Sequence, residues 1–328
     1  MAEPLHVLTL ADEAFALPLA VLVRSSLDHL APHLRLCLTV VDGGIRAGTR
    51  ARLVASWTDP RLSVVWCAPP EGLALPRTFG RIPPLTFARL CVPRLVPSGC
   101  TRAIVLDADQ LVERDLGCLA AEPLEGALVL APRDPFIPYV SSPNGLAHFA
   151  ELGLAPSAPY FTGAMMVVNV DGWRRELVSE RALRYVTDHA RHLRTYDQDA
   201  LNTVIAGRFR ELDARWQVQP RALSLSPRVT PHLDDDGRAR LAKDPWIVHF
   251  SGRLKPWLYA GRTLFDSRYR DVVQRTAFRG HRPPRDVRAL LYRIYDGRLR
   301  RFLYPLELRA DSALSTWRRR RARAVAGP

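Results

Sequence analysis

Ala103-Ile104-Val105-Leu106-Asp107-Ala108-Asp109 is the stretch from which the rest of the chain is read. Four apolar residues, two of them β-branched, stop abruptly at two acids. The run is short, and its composition favours a buried strand over a helix. On extended chain, residues i and i+2 point to one side, so Asp107 and Asp109 reach one space together. Hard carboxylate oxygens at a strand's end suit Mn²⁺ or Mg²⁺, ions that also hold substrate phosphates. A solvated turn is the other reading of the same pair, since Asp is common at strand ends.

Upstream, short apolar runs alternate with helical patterns. His6–Leu10 reads as a strand, Ala14–Leu30 as a helix, and Leu34–Val41 as a second strand closed by the turn Asp42-Gly43-Gly44. Thr49–Trp57 fits a helix, Leu62–Trp66 a third strand, and Pro84–Leu95 a further helix leading into Ala103–Leu106. This βαβαβαβ order predicts an α/β fold with a mostly parallel sheet and helices on both faces. Ligands of such sheets collect at the carboxyl ends of the strands, where Asp107 and Asp109 stand.

Downstream the pattern loosens. Ala127–Ala131 and Ala164–Val170 read as strands, Trp173–His192 and Asp197–Ala206 as helices, and Trp246–Phe250 as a late strand. Residues 217–245 look irregular. Residues 132–159, rich in Pro and Ser, read as a long loop of the kind that usually has work to do. Its Phe136, Tyr139 and His148 are expected to shape one side of a ligand site.

Two more clusters bear chemistry. Asp197-Gln198-Asp199 opens a helix, where an acid also serves as a cap or complements the helix dipole. Gln198 has less of a capping role, and an amide beside a reacting sugar orients a hydroxyl or stabilises developing charge. His249-Phe-Ser-Gly252-Arg-Leu-Lys255-Pro-Trp257 combines a metal-ligand type, a glycine that permits close backbone approach, and an ammonium suited to phosphate.

In one order, Leu10-Ala11-Asp12, Thr86-Phe-Ala-Arg89-Leu, Leu106-Asp-Ala-Asp109, Tyr160-Phe-Thr-Gly-Ala-Met-Met-Val-Val-Asn169, Asp197-Gln-Asp-Ala-Leu-Asn202 and His249–Trp257 resemble the motifs of family-8 glycosyltransferases, the group of glycogenin and bacterial lipooligosaccharide α-galactosyltransferases. The resemblance implies a single GT-A-type nucleotide-sugar-binding domain over residues 1–260. It implies a Mn²⁺-dependent (or Mg²⁺-dependent) retaining transfer of glucose or galactose from a UDP-sugar to an acceptor hydroxyl. Under it Asp107, Asp109 and His249 ligate the metal, with Ala108 between them at the donor. Asp12, with the backbone of Leu10 and Ala11, meets the uracil, and Arg89 meets the diphosphate-sugar region. Thr162 and Gly163 lie at the donor sugar, Thr162 in place of the family's usual amide. Asp197 binds sugar hydroxyls, Gln198 lies near the anomeric carbon, and Gly252 and Lys255 grip the phosphates. Retaining hydrolases pair two carboxylates. An amide at Gln198 is a poor nucleophile, so front-face attack is preferred.

Charge sharpens the domain division. The chain of 328 residues carries 47 basic and 33 acidic side chains, net +14. Residues 261–328 hold 18 Arg against 6 acids, leaving 47 − 18 = 29 basic and 33 − 6 = 27 acidic residues, or +2, in residues 1–260. The excess therefore belongs to a basic, helical C-terminal extension with Tyr292, Tyr295, Phe302, Tyr304 and Trp317 among its arginines. Three readings of it stand side by side: a solvated helical face, peripheral attraction to an anionic membrane surface, and contact with an acidic acceptor or partner. Nucleic acid is not expected, because the body lacks a basic stripe with aromatics. A nucleotidyltransferase would need a Gly-rich phosphate loop near the N terminus, where Leu10-Ala11-Asp12-Glu13 stands. Only Lys243 and Lys255 are lysines, a skew typical of GC-rich bacterial genomes. Five cysteines without a C-x-x-C fit neither a disulfide framework nor a zinc pattern. Met1-Ala-Glu-Pro carries no leader-like run, so the expected location is cytoplasmic, at most peripheral to the membrane.

Overall fold

The computed structural model describes residues 3–283, apart from 72, 74–83, 191, 225–229, 231, 253, 254 and 260–262. The arginine-rich segment Arg318–Arg323 and the tail aromatics lie outside the described residues. Nine strands are present among the described residues: β1 (Leu5–Ala11), β2 (Leu36–Asp42), β3 (Leu62–Cys67), β4 (Arg102–Leu106), β5 (Gln110–Val112), β6 (Val129–Ala131), β7 (Met165–Asn169), β8 (Phe209–Glu211) and β9 (Ile247–His249). Seven form one sheet in the order β3-β2-β1-β4-β7-β6-β8. β7 pairs antiparallel with both β4 and β6, and the other pairings are parallel. The mostly parallel α/β reading is thus what the chain adopts, with one reversed strand in the middle.

Strand alternation explains why the central strands read as continuous apolar runs. Ile104 and Leu106 of β4, with Met165 and Val167 of β7, enter the core on one face. Ala103 and Val105, with Met166 and Val168, enter the core on the other. A sheet covered on both sides demands this double burial. The first face is covered by the helix Ala16–His29, which is almost wholly buried because a second layer covers it in turn. Phe265, Tyr269, Val272 and Val273, on or beside the helix Asp266–Gln274, join the same core. The chain just past Gly261 therefore packs onto the body. No helix among the described residues is long and apolar enough to cross a membrane. All five cysteines are unpaired, and Cys91 and Cys100 fill core positions.

Several elements depart from the expected pattern. The helical run Trp173–His192 is two helices, Val170–Arg175 and Val178–Asp188, because Leu177 takes a left-handed conformation at φ 51°. Pro84–Cys91 winds as 3₁₀ turns, with a short α-helix only at Val92–Leu95. Residues 217–245 are not irregular throughout: they contain the helices Pro220–Ser224 and Asp235–Lys243. The second of these buries only Leu241, so no apolar periodicity announces it. Its start is fixed by Asp234, whose carboxylate accepts from Gly237 N at 2.7 Å.

β9 avoids the main sheet. It pairs antiparallel with β5, and Gln110 stands opposite His249. The acidic turn occupies the three residues between β4 and β5, so this pairing brings a residue from late in the chain to that turn. Phe250 N also donates to Asp109 O at 3.1 Å.

Candidate active site

Asp107 and Asp109 lie in the turn after β4 and reach one space together, while Ala108 between them is buried in the core. His249 Nε2 lies 3.7 Å from Asp107 Oδ2 and 3.2 Å from Asp109 Oδ1. One ligand atom from each of the three falls within 4.8 Å of the others. Two hard oxygens and one imidazole, gathered this closely at a strand end, fit a divalent cation of the Mn²⁺ type. The amide of Gln217 sits 2.6 Å from His249 Nδ1 and orients the ring so that Nε2 faces the carboxylates. Lys255 pairs with Asp109 Oδ2 and donates to Phe250 O at 2.6 Å. Burial alone would push the Asp109 carboxyl up; His249 and Lys255 outweigh it and hold the group well below the carboxylate range.

Arg89 ties this cluster to the second one. It donates to Asp107 Oδ1 at 2.7 Å, to the Gly163 carbonyl at 2.7 Å, and through Nε pairs with Asp197 Oδ2 at 3.0 Å. Its planar fork reaches three acceptors from separate nitrogens held in one fixed geometry, where an ammonium offers a single compact nitrogen. Asp197 is the first residue of the helix Asp197–Ile205, and its carboxylate faces Arg89 through Oδ2. Burial pushes its pKa up to about 6, beyond what Arg89 offsets, and Asp107 adds to the rise.

Gln198 has one chemically consistent orientation. Its Oε1 accepts from Gly163 N at 2.9 Å, and its Nε2 donates to Asp134 Oδ2 at 3.0 Å. A backbone donor at one end and a carboxylate at the other leave no alternative flip. Asp199 works behind this pair. It accepts from Arg194 N at 2.5 Å, Thr195 N at 2.9 Å and Tyr160 OH at 2.7 Å, bracing the turn at Tyr196, where φ is 60°. Asn202 bonds both backbone groups of Phe161 at 2.9 Å, fixing the same helix to the end of the loop.

Arg89, Asp107, Thr162, Asp197, Gln198 and His249 line one cavity of about 310 Å³, together with Asp134, Phe136 and Gln219. Gly163 underlies it: a Cβ there would stand 3.7–3.8 Å from Arg89, Gln198 and Asp197. Leu10, Ala11 and Asp12 stand apart from this lining, at the end of β1. Asp12 accepts from Phe15 N at 3.1 Å, while Ala11 O accepts from Gly43 N at 2.8 Å. Gly252 has φ +81°, and the Arg221 guanidinium lies 3.9 Å from where its Cβ would stand. Tyr139 and His148 do not line the cavity. Asp134, Gln217 and Gln219 were not singled out in the sequence, because an isolated Asp or Gln carries no pattern without its spatial neighbours.

Residues 6–261 match the model of "Glycosyl transferase family 8". The chain belongs to that glycosyltransferase family. It is 24% identical over 265 residues to General stress protein A of Bacillus subtilis, covering 78% of this chain and 88% of that protein. It is 29% identical to Probable galacturonosyltransferase-like 4 of Arabidopsis thaliana, over 53% of this chain and 50% of that one. Among solved structures, the galactosyltransferase LgtC in complex with donor and acceptor sugar analogs superposes with a TM-score of 0.68 at 22% identity, covering 87% of this chain and 99% of the other. The bifunctional glycosyltransferase WbbM gives 0.70 at 21% identity, with 84% of this chain spanning 50% of that one. These likenesses establish the family and the GT-A fold.

Proposed function

We propose that the chain is a retaining hexosyltransferase that moves glucose or galactose from a UDP-sugar to an acceptor hydroxyl with the help of Mn²⁺ or Mg²⁺. The observation that carries this reading is Arg89, which touches both the Asp107/Asp109/His249 cluster and Asp197 on the wall of one cavity. A diphosphate placed at the first cluster sets its sugar beside Asp197 and Gln198. Asp197 then accepts from sugar hydroxyls, and Gly163 allows the ring to approach the backbone. A divalent cation held by Asp107, Asp109 and His249 would supply charge neutralisation to the leaving diphosphate.

Gln198 offers no carboxylate to trap the anomeric carbon, and both ends of its amide are bonded. The acceptor oxygen therefore attacks from the face the diphosphate leaves. The bond from C1 to the phosphate oxygen breaks as the bond from C1 to the acceptor oxygen forms, and the acceptor proton passes to the departing phosphate oxygen. Phe136 and Asp134, from the loop after β6, bound the space on the acceptor side.

The direct test is hydrolysis of a panel of UDP-sugars by the full chain with Mn²⁺, followed by acceptor trials with the best donor. One UDP-hexose should be hydrolysed, and EDTA should stop it; failure to turn over or bind any UDP-sugar overturns the reading. A pH limb is also expected. Asp197 titrates near 6, above the usual carboxylate value, so its ionised form is lost as pH falls through about 6. kcat/KM, which reports the free enzyme, should fall about tenfold per pH unit below that point. In Asp197→Asn the limb should vanish, leaving a low and flat profile.

A further inference from the structure

We propose that His148, His189 and His192 form a second metal site, selective for Zn²⁺, that clasps the loop 132–159 to the segment leading into Asp197. The rings come from distant parts of the chain. His148 lies in the loop, while His189 and His192 follow the helix Val178–Asp188, where His192 N donates to His189 O at 2.8 Å. Ring centroids are separated by 5.0 Å for His148–His192, 6.0 Å for His148–His189 and 6.4 Å for His189–His192. One nitrogen from each lies within 4.8 Å of the others. A tetrahedral Zn²⁺ with bonds of about 2.0–2.1 Å spaces its nitrogens roughly 3.4 Å apart, a closure within reach of side-chain rotation because His192 is exposed.

The surroundings are those of a ligand rather than of a packed ring. His148 Nε2 is buried and has no hydrogen-bond partner among the described residues. Its Nδ1 lies 3.3 Å from the Glu151 carboxylate, the arrangement that fixes the tautomer of a ligating histidine and raises its basicity. His189 is held against Tyr185, with ring centroids 4.5 Å apart. Three imidazoles and no carboxylate in the first sphere favour Zn²⁺ over Mn²⁺ or Mg²⁺, which take oxygen ligands. Water would complete the tetrahedron. Arg194 already bonds the carbonyls of Pro143 and Gly145, so the metal would double an existing clasp two residues away. The site is independent of the transfer reaction and does not rest on it.

Zn²⁺ content settles the matter. Full-length protein is stripped with EDTA, reloaded with Zn²⁺, desalted and measured by inductively coupled plasma mass spectrometry. Wild type and Asp107→Asn/Asp109→Asn should both retain the histidine-bound equivalent, and His148→Ala/His192→Ala should retain one equivalent less than wild type. Hydrogen exchange of residues 140–155 should slow on adding Zn²⁺ to wild type and not to the histidine variant. His192→Ala alone, at an exposed position, guards against misfolding and should weaken Zn²⁺ binding at least about tenfold. Equal zinc in the histidine variants and wild type, or loss of all zinc in the carboxylate variant, overturns the proposal.

Discussion

Asp109→Asn is expected to fold and to lose sugar transfer and UDP-sugar hydrolysis by about 10³-fold or more, above the ~10²–10³ typical of losing one preorganised electrostatic group. The amide is isosteric, so shape is kept while the charge goes. Asp109 divides its oxygens between His249 and Lys255, and Asn offers one acceptor and a donor that faces cations. The loss should lie in kcat and in metal affinity, with circular dichroism unchanged. Mn²⁺ titrations of turnover will separate the two. Residual turnover near the wild-type rate, insensitive to EDTA, would remove the metal from the proposed reaction.

Arg89→Met should be worse for the protein as a whole. The side chain is 9% exposed, and its removal leaves Asp107 and Asp197 facing each other without a shared cation. Breaking a buried pair from one side costs about 3–5 kcal/mol, and the Gly163 carbonyl also loses its donor. Denaturant unfolding should show that loss, with transfer abolished even where the variant is folded. Arg89→Lys should recover part of the stability, since charge returns, while activity stays low because one compact ammonium does not reproduce the fixed, planar spread of the guanidinium. Stability of Arg89→Met equal to wild type would mean that the two carboxylates are kept apart by other means.

The fold and most of the candidate site were legible because their signals are local. β4 announces itself by four apolar residues and two acids, and β1 to β3 by the same alternation with helices between. Asp107, Asp109, Asp197, Gln198 and His249 stand in motifs whose order is itself informative, and the structure brings them to one place. What stayed hidden depends on partners distant in sequence. Gln217 matters only because it meets His249, and Asp134 only because it meets Gln198. The break at Leu177 lies inside an otherwise continuous helical pattern, and β5 and β8, three residues each, are too short to show a period. Asp12 also stands in a legible motif, and the structure adds that its Oδ1 caps the turn after β1.

The pairing of β5 with β9 also has a consequence during synthesis. Asp109 emerges from the ribosome 146 residues before Lys255, with His249 just ahead of that lysine. At roughly 5–20 residues per second, the acidic turn waits on the order of ten seconds for these two neighbours. Throughout that interval the nascent chain carries two carboxylates at the end of β4 with neither His249 nor Lys255 beside them. The Asp107, Asp109 and His249 cluster is thus completed only after β9 has been made, and a chain interrupted before residue 247 carries the first four parallel strands without that cluster.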